Sequence, residues 1–144
     1  MSQGARGESP AELPVLDAAT LDGLFHLEKA VGREIVRLVV DNFKAETPGR
    51  VARMRQAIER GDVEGFGFAA HVLKGSAAQL GAVRLAELCG ELEGVSRKGS
   101  LEGVGERIRL VEEETLRALN ALLERLRREG KADASGRSAS PRPA

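Results

Sequence analysis

Apolar residues return at steps of three and four along most of this chain, and no stretch keeps the strict alternation of a half-buried strand. The pattern predicts helices throughout. A short first helix starts near Asp17 and carries Leu21, Leu24, Phe25 and Leu27, with Gly32 interrupting it. A second carries Ile35, Leu38, Val39 and Phe43. Thr47-Pro48 then reads as an N-cap followed by proline at the first helical position, opening a helix with Val51, Met54 and Ile58. Gly61-Asp62 reads as the end of that helix and the N-cap of the next. The next helix runs from about Val63 to Leu80, and Gly81 closes it. Another places Leu85, Leu88, Leu92 and Val95 on one stripe. After a turn at Gly99-Ser100, a long last helix carries Val104, Ile108, Val111, Thr115, Leu119, Leu122 and Leu126.

Short connections between amphipathic helices favour antiparallel neighbours. The expected fold is therefore all-α: an antiparallel up-and-down four-helix bundle with an additional short N-terminal helix. Polar flanks set the expected boundaries. Residues 1–14 read as a flexible leader, 15–129 as the bundle and 130–144 as a disordered tail.

Composition narrows the function classes. Aromatics are only 3% of the 144 residues, with no Trp or Tyr, against the richer aromatic content of most sheets. Acids and bases balance at 22 each, so no global field draws nucleic acid or an anionic membrane, and neither is expected as a partner. The single cysteine, Cys89, excludes an internal disulfide and a multi-cysteine zinc site. The polar N-terminus lacks a secretory apolar stretch, and the run Ile35 to Val40 is too short to span a bilayer. A cytoplasmic protein is expected. The apolar stripe of the last helix is accounted for by the bundle, so a monomer is expected.

The helix from Val63 to Leu80 departs from plain packing. With roughly 100° per residue and His71 set at zero, Phe66, Ala69, Leu73 and Leu80 fall together on the opposite, core-facing side. His71 points outward, with Glu64, Gly67, Phe68, Lys74, Gly75 and Ala78 around it. Gly75 sits one turn after His71 in a helix interior, where glycine costs about 1 kcal/mol relative to alanine. Clearing the approach to the imidazole is a physical reason for that cost. Lys74 shares the surface patch and would attract a phosphoryl group placed on the ring. Each of the three taken singly reads as an ordinary surface position; together, His-x-x-Lys-Gly facing outward is harder to explain by packing.

Glu93 extends the set. His71 lies eleven residues before Ala82 and Glu93 eleven after it. In an antiparallel hairpin turning near Gly81-Ala82, equal distances from the turn bring residues to similar height. A carboxylate there could accept a hydrogen bond from Nδ1–H of His71 and leave Nε2 free as a nucleophile. From geometry alone, an ordinary surface glutamate is an equally good reading.

The run Ala70-His71-Val72-Leu73-Lys74-Gly75-Ser76-Ala77-Ala78-Gln79-Leu80-Gly81-Ala82 resembles the signature of histidine-containing phosphotransfer domains. Phe43, Thr47-Pro48 and Gly61-Asp62 are similar to the family's lead-in, and Leu85 through Glu93 to its second hairpin helix. The resemblance covers about Val15 to Leu126. It implies that His71 is the phosphorylated residue, that Lys74 helps hold the phosphoryl oxygens, that Gly75 opens the approach, and that Glu93 orients the imidazole. The second histidine, His26, matches no such motif.

The implied function is a phosphorelay intermediate. His71 would accept a phosphoryl group from the aspartyl phosphate of a receiver domain, or from a kinase, and pass it to a response-regulator receiver. Hybrid or other histidine kinases are the further partners expected. No phosphate loop or kinase signature is visible, so the chain is expected to be a carrier rather than an enzyme. It should bind no cofactor and no metal of its own, with Mg²⁺ supplied in the receiver partner. Glu64, Gly67, Phe68, Ala78 and Ala82 are the expected docking residues. Two alternatives stay open: a receiver- or kinase-binding module that carries no phosphate, and the substrate domain of a split chemotaxis-type kinase. A metal-dependent enzyme fits least, because neither His26 nor Cys89 stands at ligand spacing from His71.

Overall fold

The structure, a computed structural model, describes residues 10–31 and 34–138. Those residues form five α-helices: α1 (Ala18–Val31), α2 (Glu34–Arg60), α3 (Val63–Gln79), α4 (Val83–Arg97) and α5 (Val104–Ser138). Gly32, read from sequence as an interruption, lies outside the described residues. Helices α2 to α5 pack as a closed ring in which each touches its two neighbours, and α1 leans on α2 from outside. This is the all-α four-helix bundle with an extra N-terminal helix.

The bundle closes because every helix contributes a stripe at steps of three and four. Phe66, Ala70, Leu73 and Ala77 of α3 are fully buried, as are Leu85, Cys89 and Leu92 of α4 and Val104, Ile108 and Val111 of α5. Burial also governs Cys89: removal from water pushes its thiol up to about 12, with Lys74 lowering it and Glu93 raising it to smaller extents. Because the thiolate is the reactive form, native protein should resist iodoacetamide and react only in denaturant. Rapid native alkylation would show that the α3–α4 contact opens.

Turn chemistry matches the expected boundaries around α3. Gly61, at φ +68°, ends α2, and Asp62 caps α3 by accepting a 2.9 Å hydrogen bond from the backbone N–H of Gly65. Gly81, at φ +75°, makes the α3–α4 turn. A side chain there would also crowd Thr20 and the carbonyl of Asp17. The start of α1 is tied to this turn, since Asp17 N–H donates to Gly81 O at 2.6 Å.

Several expectations are corrected. Thr47-Pro48 opens no helix: α2 runs unbroken through it. Thr47 is buried and its hydroxyl donates to Phe43 O at 2.6 Å. The buried set Val36, Val40, Phe43, Thr47, Val51, Met54 and Ala57 keeps one phase across the proline, so packing outweighs the backbone bond that Pro48 removes. Ile35 and Leu38 lie off that phase and are exposed. Glu114, which the sequence did not single out, is buried between Val111 and Ala118. It is held there by Arg117 at 3.0 Å and Arg84 at 3.6 Å.

Both flanks also differ from expectation. Within the span read as leader, Pro10–Glu12 form a 3-10 turn. The guanidinium of Arg84 donates two hydrogen bonds to Leu13 O, at 2.9 and 2.7 Å. Residues 1–9 lie outside the described residues. Helix α5 continues to Ser138 rather than stopping at Glu129. Lys131, Ala132 and Ala134 are good helix formers, and no proline follows until Pro141.

Candidate functional site

Helices α3 and α4 form the hairpin that carries the site, and they make the most extensive contact in the bundle. Gly67 faces Ser96 across this contact, and a Cβ there would displace the Ser96 hydroxyl from its place. Ser96 in turn donates to the backbone carbonyl of Glu93 at 2.8 Å. The space left by Gly67 thus accommodates the hydroxyl that bonds the turn of α4 bearing Glu93.

His71 stands on the solvent face of α3 with 62% of its side chain exposed. Its Nδ1 lies 2.9 Å from Glu93 Oε2. A carboxylate only accepts, so Nδ1 carries the proton in this pair, and in the neutral ring the Nε2 lone pair is left free. Lys74 Nζ approaches the other oxygen, Oε1, at 3.0 Å. Arg97, which the sequence analysis did not single out, lies 3.2 Å from Oε2, four residues along from Glu93. The one signal for it was that i, i+4 spacing of opposite charges.

Glu93 is the centre of this cluster, with 13% of its side chain exposed. Burial by itself would raise its carboxyl. The contacts of Lys74, and next of His71, outweigh burial and hold it below the ordinary value of 4.5. A carboxyl depressed in the folded state stabilises the fold above its unfolded value, and the contribution is lost as pH falls through the folded value. Below pH 4.5, Glu93→Gln should therefore lose stability less steeply than the wild type, as read by thermal melts across an acid series. Parallel acid limbs in the two proteins would show that the cluster does not hold the carboxylate.

Gly75, one turn beyond His71, has nothing within 4 Å of where a Cβ would stand. The space beside the imidazole is open and no packing contact requires the glycine. On the other side, a shallow groove of about 400 Å³ is lined by Glu64, Gly67, Phe68, His71, Glu93, Ser96 and Arg97. Phe68 is 71% exposed, a large apolar surface next to a polar site. Ala78 is also exposed. Ala82 is not: it is fully buried, and its N–H donates to Ala77 O at 2.9 Å inside the hairpin turn. It cannot serve as a docking residue, because the turn that aligns the hairpin folds it inward.

The structure therefore brings together His71, Lys74, Gly75 and Glu93, adds Arg97, and leaves His26 on α1 away from the hairpin. Among the described residues, no three His, Cys, Asp or Glu side chains converge to hold a metal ion, and no helix is long and apolar enough to cross a membrane.

A family model described as the Hpt domain matches residues 38–129, more than half of the chain. Among solved structures, the chain is similar to the crystal structure of histidine-containing phosphotransfer protein B (HptB) from Pseudomonas aeruginosa PAO1. That similarity has a TM-score of 0.71 and 27% identity over 81% of this chain and 98% of that one. The comparison with curated protein sequences gave no match.

Proposed function

The chain belongs to the Hpt domain family, the histidine phosphotransfer carriers of phosphorelays, and we propose that His71 is the residue that carries its phosphoryl group. The observation behind this reading is the exposed imidazole whose Nδ1 is engaged by Glu93 at 2.9 Å, leaving Nε2 facing solvent.

Nε2 attacks the phosphorus of a receiver's aspartyl phosphate in line. The N–P bond forms, the P–O bond to the aspartate breaks, and its electron pair leaves with the carboxylate. Nδ1 keeps its proton against Glu93, so the imidazole needs no separate base. Lys74 supplies positive charge beside the transferred group. The receiver supplies Mg²⁺ and most of the remaining charge stabilisation. Reversal of the same step delivers the group to the next receiver.

Hpt proteins work with receiver domains and kinases, and the docking face proposed here is Glu64, Gly67, Phe68 and Ala78 around His71. Contact through one exposed aromatic and a shallow groove suits a brief encounter of small area. The chain acts in this reading as a carrier without an ATP site, in the cytoplasm, as a monomer.

Incubation with a phosphorylated receiver domain tests the reading. The expected product is acid-labile, base-stable phosphate on this chain, mapped to His71 by peptide mass spectrometry. Receiver binding without any phosphohistidine would overturn it in favour of a docking module. Labelling only by ATP and a separate kinase subunit would place the chain as a kinase substrate domain instead.

A further inference from the structure

Helix α5 buries a carboxylate where packing asks for a hydrocarbon. Glu114 is 1% exposed, in a helix whose other buried side chains include Val104, Ile108, Val111, Ala118 and Leu122. A buried ion pair is often no more stabilising than apolar side chains of similar volume. Oε1 is served by Arg117 at 3.0 Å and by Arg84 at 3.6 Å. Oε2 is shut away from water and has no hydrogen-bond partner among the described residues. A buried acceptor of this kind is costly unless a donor reaches it.

Glu114 lines a groove of about 460 Å³ that α4 and α5 form with the N-terminal segment. The volume falls within the range of about 300 to 1,000 Å³ common for small-molecule sites. Leu88, Leu110 and Pro10 supply the apolar lining. Leu110 is 49% exposed, an apolar wall turned to solvent. The charged lining balances, Glu91 and Glu114 against Arg84 and Arg117, so no net charge selects an ion. At about 100° per residue, Arg84, Leu88 and Glu91 share one face of α4, roughly opposite the face of Glu93, Ser96 and Arg97. The groove is therefore distinct from the His71 site, and nothing about it rests on phosphoryl transfer.

We propose that this groove is a second binding site, for a small neutral molecule that joins a carboxamide to an apolar body. The amide N–H donates to Glu114 Oε2. The amide oxygen accepts from Arg117, which spends one nitrogen on Glu114 and carries further N–H groups. The Arg117 side chain is 55% exposed, so it can turn to admit the ligand without leaving solvent. The hydrocarbon body lies against Leu88, Leu110 and Pro10. A carboxylate ligand of the same shape brings no donor to Oε2 and sets a second negative charge beside it. A ketone of the same shape fills the space and leaves the buried oxygen unpaired.

Benzamide, acetophenone and benzoate share one shape and differ in that single group. Each is titrated into the isotope-labelled full chain and followed through backbone amide chemical shifts. Benzamide should move the amides of residues 84–91 and 110–117 and leave those of His71 and Gly75 in place. It should bind about tenfold more tightly than acetophenone, the worth of one hydrogen bond to a charged acceptor. Benzoate should bind more weakly still. Leu110→Ser, at a half-exposed position, should weaken benzamide about fivefold through lost apolar contact. Glu114→Gln offers only a neutral acceptor and should shrink the preference for benzamide over acetophenone. The wild-type ratios decide the matter even where that buried substitution prevents folding.

Equal affinities for benzamide and acetophenone in the wild-type chain would overturn the proposal, as would tighter binding of benzoate. Shifts confined to other residues, or no shifts up to the solubility of benzamide, would also overturn it and leave Oε2 to water alone. None of these results touches the carrier reading, which stands or falls on label at His71.

Discussion

His71→Gln should reduce phosphoryl labelling by a phosphorylated receiver to background. Glutamine matches the imidazole roughly in size and polarity, but its amide nitrogen has no available lone pair. No N–P bond can form, so the loss is complete rather than graded. The fold should be untouched: the side chain is 62% exposed, and substitutions at such positions move stability by only about 0.5 kcal/mol or less. The paired measurements are acid-labile, base-stable label and a thermal melt. Undiminished label in this variant would exclude His71 and leave His26 as the remaining histidine.

Substitution of Gly75 should drive stability and activity apart. The position is interior to α3, exposed, and has no neighbour within 4 Å of a new Cβ. Gly75→Ala should therefore stabilise the protein by about 1 kcal/mol through helix propensity and reduced unfolded-chain entropy. Transfer should slow at the same time, because the added group stands where an approaching receiver must pass. Gly75→Leu should make the separation plain: a fold still as stable as the wild type, with transfer slowed roughly 10²-fold by displacement of the reacting atoms. Rapid-quench transfer kinetics beside thermal melts will show it. A Leu variant that transfers at the wild-type rate would mean that receivers do not approach over this glycine.

Much of the site could be read from the chain because its chemistry lies within two adjacent helices. The apolar phase of α3 placed His71, Lys74 and Gly75 outward, and equal distance from Gly81-Ala82 placed Glu93 opposite. What escaped needed information from outside the local window. Ala82 has no side-chain feature that distinguishes a buried turn from an exposed one. Thr47-Pro48 is a strong local signal for a helix start, yet a continuous buried stripe from Val36 to Ala57 overrules it. The misplaced Ile35 and Leu38 hid that stripe, since the true phase passes through Val36 and Val40. Glu114 is buried because two arginines, one on another helix, meet it.

The partnership of imidazole and carboxylate spans 22 positions of chain through a hairpin turn. Adding or removing one residue within the helical stretches between them would rotate what lies beyond it by about 100° and displace it by about 1.5 Å. Glu93 and Arg97 would swing off the His71 face together, and Ser96 would no longer lie over Gly67. Descendants of this gene can therefore drift widely in the letters between the two groups, while the tally of letters is held constant. Insertions should be tolerated between α4 and α5, at Gly99 to Gly103, long before they are tolerated between His71 and Glu93.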